Sequence, residues 1–183
     1  DGSAPRQCYL RGLISPAIHY HVQLPLPSDW NGRFLGWGDG GKDGDLDFAH
    51  HRVAEGYAVA NSNTGHDSGS EPGSSFGFHN RQAEIDFGYR AVHVMTNAGK
   101  SVVRAYYGKD AEYSYFEGCS TGGKQGLMEA QRFPDDFDGI VAGDPVNHYQ
   151  ALNISHVWNL QRVFQNDSAD RKRPVHGNGL DHG

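Results

Sequence analysis

Tyr113-Ser114-Tyr115-Phe116-Glu117-Gly118-Cys119-Ser120-Thr121-Gly122-Gly123 reads as a strand running into a tight turn. The aromatic-rich start, 113–116, predicts a short buried strand, and residues 124–133 predict a helix that stops before Pro134. Between them, Gly118-Cys119-Ser120-Thr121-Gly122 fits the G-x-S-x-G spacing of a nucleophile elbow. An elbow forces its serine into a strained backbone conformation, and the flanking Gly118 and Gly122 are needed because a Cβ at either position would strike a neighbouring strand or helix. Ser120 then projects its hydroxyl from the tip of the turn, where the helix N-terminus and the Thr121 N–H can receive a developing oxyanion. The plainer alternative is a glycine-rich turn in which Ser120 only caps the helix.

Upstream, residues 82–107 carry apolar side chains at helical spacing and predict the longest helix, ended by Gly108-Lys109-Asp110. His93 lies within it and reads as a helix-surface or core residue rather than a catalyst. Further back, a strand over 33–37 enters Gly38-Asp39-Gly40-Gly41-Lys42-Asp43-Gly44, which is too glycine-rich for regular structure. No G-K-[ST] follows, so it is not a phosphate-binding loop. After a strand and before a weakly helical stretch (45–55), it suits the second half of an oxyanion hole, with Gly40 or Gly41 donating. A flexible surface loop is the alternative.

The other strands are expected over 8–14 and 19–26, joined by a turn at Ser15-Pro16, and over 57–61 and 138–143. The imperfect alternation of 19–26 places it near a sheet edge. Residues 62–80 form a long loop of Gly, Ser, Asn and His, a length that usually serves a site. His66 and His79 lie in it, but no H-x-x-x-H or C-x-x-C spacing occurs, and no metal or other cofactor is expected. Residues 148–164 predict an amphipathic helix. Strands alternating with helices indicate an α/β fold with a mostly parallel sheet covered by helices on both faces. The expected organisation is one catalytic domain over 1–164 and a polar, Gly-rich tail over 165–183.

Composition narrows the function. A net charge of −6 leaves no basic stripe for nucleic acid, and Arg171-Lys172-Arg173 reads as solvated tail. No apolar run approaches the roughly 18 residues that span a bilayer. Asp1 opens neither a leader pattern nor an initiating Met, as in a mature or trimmed chain. With 37% hydrophobic residues, 25 glycines and 11 histidines, the chain is rich in turns or is a piece of something larger. Cys8 and Cys119 allow one internal disulfide or two buried free thiols.

These residues together resemble the tannase and feruloyl esterase family of α/β-hydrolases, which also includes an enzyme acting on a terephthalate monoester. The likeness rests on Trp30-Asn31-Gly32-Arg33-Phe34, the 38–44 loop, Ile85-Asp86-Phe87-Gly88-Tyr89-Arg90-Ala91-Val92-His93, and above all 115–126. Gln131-Arg132-Phe133-Pro134 and Asp138-Gly139-Ile140-Val141-Ala142-Gly143 continue it. It implies a serine carboxylic-ester hydrolase acting on small-molecule phenolic esters in an extracellular or periplasmic setting. Ser120 is then the nucleophile, with Thr121 and a glycine of the Gly40-Gly41 pair as oxyanion donors. In the family a cysteine before the serine is bridged to one beside the catalytic histidine; Cys119 occupies the first position, and its implied partner lies far downstream. Cys8 matches a cysteine that pairs elsewhere.

The family order is Ser, then Asp or Glu, then His, with an inserted lid between. The stretch after Ser120 is too short for the lid and the remaining strands, so the expectation is an incomplete hydrolase sheet without lid or C-terminal strands. His148, His156, His176 and His182, with Asp181, are the substitutes that stretch offers for base and acid. The alternative function is a non-catalytic fragment or pseudoenzyme that keeps the fold and ligand binding.

Overall fold

The computed structural model describes residues 4–170, which fall into two compact units, one ending at Pro145 and one beginning at Val146. In the first unit a six-stranded sheet has the order β1-β2-β4-β3-β5-β6. Its strands are β1 Gln7–Ile14, β2 Ile18–Pro25, β3 Arg33–Trp37, β4 Ala58–Ser62, β5 Tyr113–Cys119 and β6 Gly139–Gly143. The β1–β2 and β2–β4 pairs are antiparallel, whereas β3–β4, β3–β5 and β5–β6 are parallel. The sheet is therefore mixed and parallel at its centre, where β3 and β5 end side by side. Residues 19–26 lie near the sheet edge as expected: β2 is the second strand, between the edge strand β1 and β4, and its buried residues fall on both faces, which blurs its alternation.

Period-two alternation assigns the two faces. Phe34, Ala58, Ala60 and Phe116 face one core with Val92, Met95 and Val103, which come from α3, Ala91–Tyr107. Leu35 and Val59 face the other core with Ala49 and Val53, at α1, His50–Ala54. α3 approaches closely because Gly99 sits over Phe34, where a Cβ would come within 2.9 Å of the ring.

Two helices differ from expectation. Residues 45–49 are not helical: the Asp47 and Ala49 amides donate to the Asn61 and Gln23 side chains, which hold the backbone out until His50. The helix expected over 82–107 is α2, Arg81–Ile85, then one π turn, Asp86–Arg90, then α3. At that turn the buried Asp86 accepts from Gln82 and Arg90, at 2.9 and 2.7 Å. The left-handed Gly108 (φ 73°) closes α3 as expected.

α4 spans Thr121–Arg132 and packs on the α3 side of the sheet, its Gly126 against Phe116 and Ile140. In the second unit α5 spans Tyr149–Asp170, running past the expected end at residue 164. Its apolar residues, among them Leu152, Ile154, Trp158 and Val163, lie on several sides and not along one stripe. Residues 171–183, including most of the expected tail, lie outside the described residues.

Candidate active site

The turn between β5 and α4 has the geometry that its spacing predicts. Ser120 has φ 59° and ψ −114°, a region L-residues rarely enter, at a cost of about 1–3 kcal/mol. Backbone contacts make up that cost. The Ser120 N–H donates to the Gly143 carbonyl at 3.0 Å, Gly122 N–H to Asp39 O at 2.6 Å, and Lys124 N–H to Ser120 O at 3.0 Å. A Cβ on Gly118 would stand 2.5 Å from the Gly122 carbonyl carbon, and one on Gly122 2.8 Å from Asp39 O. Gly123, just outside the five-residue pattern, is equally constrained, since its Cβ would lie 2.4 Å from Gly143 O. Backbone meets backbone here on both sides of the serine, and only glycine permits it.

The Ser120 and Gly122 amides are thus occupied. The Thr121 N–H opens α4, ahead of that helix's own i−4 ladder. The Thr121 hydroxyl donates to the Gly41 carbonyl at 2.5 Å and so ties the facing loop to the elbow.

Side chains hold that loop, 38–44. Gly38 N–H donates to Glu117 O at 2.8 Å, and Asp39 N–H to Gln125 Oε1 at 3.2 Å. The buried Asp39 carboxyl accepts from Asn61 Nδ2 at 2.5 Å and, more weakly, from Gln125 Nε2 at 3.4 Å. Burial first, and the adjoining Asp43 carboxyl second, push Asp39 well above the ordinary carboxyl range. Asp43 is itself pushed up to about 6 by burial. Both carboxyls are therefore harder to ionise than a free one, and they titrate as a pair. Lys124, on the first turn of α4, is lowered to about 8 by burial; its ammonium donates to the Phe87 carbonyl at 3.0 Å. Asp39, Asp43, Lys124 and Gln125 lie in the 38–44 and 115–126 stretches singled out in the sequence, but only the fold shows that they meet, with Asn61 of β4.

A cleft of about 460 Å³ opens at the carboxyl ends of β3, β5 and β6, the ends at which open α/β sheets bind ligands. Trp37, Gly38, Asp39, Gly40, Asp47, Glu117, Gly118, Cys119, Ser120, Val141 and Gly143 line it. Of the residues anticipated from sequence, Ser120, Gly118, Cys119 and Gly40 share this cleft. Gly41 stands exposed just outside its lining with φ 60°, and Thr121 is buried beneath. Glu117 carries no free charge into it, because Arg52 grips both its oxygens at 2.9 Å.

Among the described residues of the first unit no histidine lines the cleft. His148 and His156 belong to the second unit, while His176, Asp181 and His182 lie outside the described residues. His66 is buried and stacked on Phe76 at 3.8 Å, a core role, and His79 is exposed on the long loop. His93 lies half-exposed on α3, stacked on Phe133, in the surface role expected of it. Cys8 and Cys119 are both free and both exposed, which corrects the alternative of two buried thiols and places no internal bridge between them.

Residues 5–176 match the family model described as tannase and feruloyl esterase. The chain is 44% identical over 133 residues to a probable feruloyl esterase B-2 of Aspergillus flavus, covering 72% of this chain and 25% of that protein. It is 35% identical over 181 residues to a mono(2-hydroxyethyl) terephthalate hydrolase of Piscinibacter sakaiensis, covering 87% of this chain and 30% of that protein. The crystal structure of feruloyl esterase B from Aspergillus oryzae superposes with a TM-score of 0.71 at 36% identity, over 78% of this chain and 29% of that one. The chain thus spans between a quarter and a third of the length of these relatives. With the sheet order, the elbow and a family match over nearly its whole length, the chain belongs to the tannase and feruloyl esterase family of α/β-hydrolases.

Proposed function

We propose that the chain carries the nucleophile half of a serine carboxylic-ester hydrolase for phenolic-acid esters of the feruloyl or galloyl type. The observation that carries the reading is Ser120 at its strained turn, on a cleft whose other wall is a clamped glycine loop. Ser120 Oγ attacks the ester carbonyl as a histidine removes its proton. The tetrahedral oxyanion is received by the Thr121 N–H and by an N–H of Gly40 or Gly41, the alcohol leaves, and water releases the acid from the acyl-enzyme. The positive end of α4 acts on the same oxygen. The base comes from outside the described lining of the cleft. An extracellular or periplasmic setting, and a bridge from the exposed Cys119 to a cysteine beside that base, belong to the same proposal.

A second reading, a non-catalytic fragment that still binds phenolic ligands, is favoured by the absence of a histidine from that lining. Without base and acid, what remains is a rate roughly 10³–10⁴-fold above water, from oxyanion stabilisation and binding. A fluorophosphonate probe separates the two. Stoichiometric labelling of the 183-residue chain that vanishes in Ser120→Ala supports a working nucleophile. A folded sample that takes up no label supports the binding fragment, and single substitution of His148, His156, His176 and His182 then has no base to find.

A further inference from the structure

Behind the elbow, on the α3 side of the sheet, three potential ligands converge that the proposed hydrolysis does not use. His93 near the start of α3, Glu129 in the last turns of α4 and Asp136 in the turn after α4 each present a ligand atom, all within 4.8 Å of one another. Glu129 is 1% exposed, and neither of its carboxylate oxygens faces a donor. Its carboxyl neighbour, Asp136, is also an acceptor. Two carboxyls that face each other in a buried place are held together by a shared proton or by a cation.

The third group favours the cation. A shared proton requires only the two carboxyls, yet the His93 ring is stacked on Phe133 at 3.8 Å with its Nδ1 2.6 Å from Asp136 Oδ2. Stacking sets the direction in which that nitrogen points. Lys100, the nearby ammonium, donates to the Asp136 backbone carbonyl and lies over the Phe137 ring, leaving both carboxylates to another positive charge. Two carboxylates and a neutral imidazole balance a divalent ion in formal charge. One nitrogen and two oxygens suit a first-row ion better than calcium, which takes oxygen alone. We propose that His93, Glu129 and Asp136 are three ligands of a divalent first-row cation, Zn²⁺ foremost, at the junction of α3 and α4. His93 is 31% exposed on its side chain, which gives the ion its path and leaves room for water as a further ligand. Tetrahedral bonds of about 2.0–2.2 Å set ligand atoms roughly 3.3–3.5 Å apart, so the ring nitrogen and Asp136 Oδ2, now at 2.6 Å, part by roughly 0.7–0.9 Å as the ion replaces the proton between them. The role is structural: the ion pins α4, the helix that carries the elbow, to α3.

The test is titration of Zn²⁺ into the chelator-stripped 183-residue chain by calorimetry, beside Glu129→Gln and His93→Ala. The expected result is one saturable equivalent, a raised thermal midpoint, and a loss of more than about a hundredfold in affinity in each variant, since even outer-shell partners cost tenfold to a hundredfold. The Co²⁺ form is expected to show d–d absorption without a thiolate charge-transfer band, which separates this site from Cys8 and Cys119. If Glu129→Gln does not fold, His93→Ala decides alone, because its position is half-exposed. No saturable binding, binding that survives either substitution, or a thiolate band overturns the proposal and leaves the three residues sharing a proton only.

Discussion

Two turns meet at the cleft, and different means hold their tips. The elbow, 118–122, is fixed by backbone against backbone: Gly118 against Gly122, Gly122 against Asp39, Ser120 against Gly143. The facing loop, 38–44, shares that backbone contact at Gly38 and Asp39 but has open space around Gly40 and Gly41, where an added Cβ would meet nothing within 4 Å. Side chains from elsewhere complete its hold: Asn61 on β4, and Thr121 and Gln125 on α4. The elbow has no room for a Cβ at Gly118 or Gly122, whereas the loop has room at Gly40 and depends also on a buried polar network. A nucleophile needs one rigid direction, and an oxyanion donor needs correct spacing from it. Each construction suits its task.

This contrast can be broken experimentally, most severely at the elbow. Gly118→Ala forces atoms to within 2.5 Å, and the expected cost is about 3 kcal/mol or more, a fall of roughly 6–12 °C in Tm by thermal unfolding. Gly40→Ala meets open space and should stay within about 0.5 kcal/mol of the parent. Equal losses at the two glycines would erase the distinction.

Next in size is the network. Asp39→Ala leaves the buried Asn61 and Gln125 amides without their acceptor, and the expected loss is about 2 kcal/mol by chemical denaturation. Asp39→Asn should cost less than Asp39→Ala, about 1 kcal/mol, because the amide keeps the shape and one oxygen to accept from Asn61 and loses only the weaker bond from Gln125. Thr121→Val removes one hydroxyl bond to Gly41 and should cost about 1 kcal/mol, with faster amide exchange in 38–44 and little change in β5.

The smallest effect is a slope. Asp43 titrates at about 6 in the folded chain and at roughly 4 when unfolded, so the folded state binds more protons between those values. Its contribution to stability is greatest below about 4 and is lost as pH rises through about 6. Asp43→Asn should make that decline shallower in denaturation curves across the same window. An unchanged slope would place the proton elsewhere in the loop.

The two turns were not equally legible beforehand. The elbow could be read at Gly118, Ser120 and Gly122 because its constraints act between residues a few positions apart, and glycine is the trace they leave. The 38–44 loop was legible as a glycine-rich donor candidate and no further, since the partner of Asp39 on α4 is 86 positions away. The place of residues 19–26 near a sheet edge was legible, but not that β2 is covered on both faces, since alternation reports only how many faces of a strand are wet. The π turn within 81–107 left no mark on the apolar periodicity; it begins at the buried Asp86, which lies against Gly65 of another segment.

The sequence alone determined the strand, turn and helix around Ser120, the need for glycine beside it, and the family, because short-range sterics and a run of motifs in fixed order survive without coordinates. Tertiary structure alone decided that the Ser120 and Gly122 amides are paired, that burial makes both Asp39 and Asp43 harder to ionise, that no described histidine of the first unit lines the cleft, and that His93, Glu129 and Asp136 stand together. Each of these depends on burial or on pairing between distant segments, and the charge state and reach of a polar group are set by the neighbours that folding gives it, not by the residues beside it in the chain.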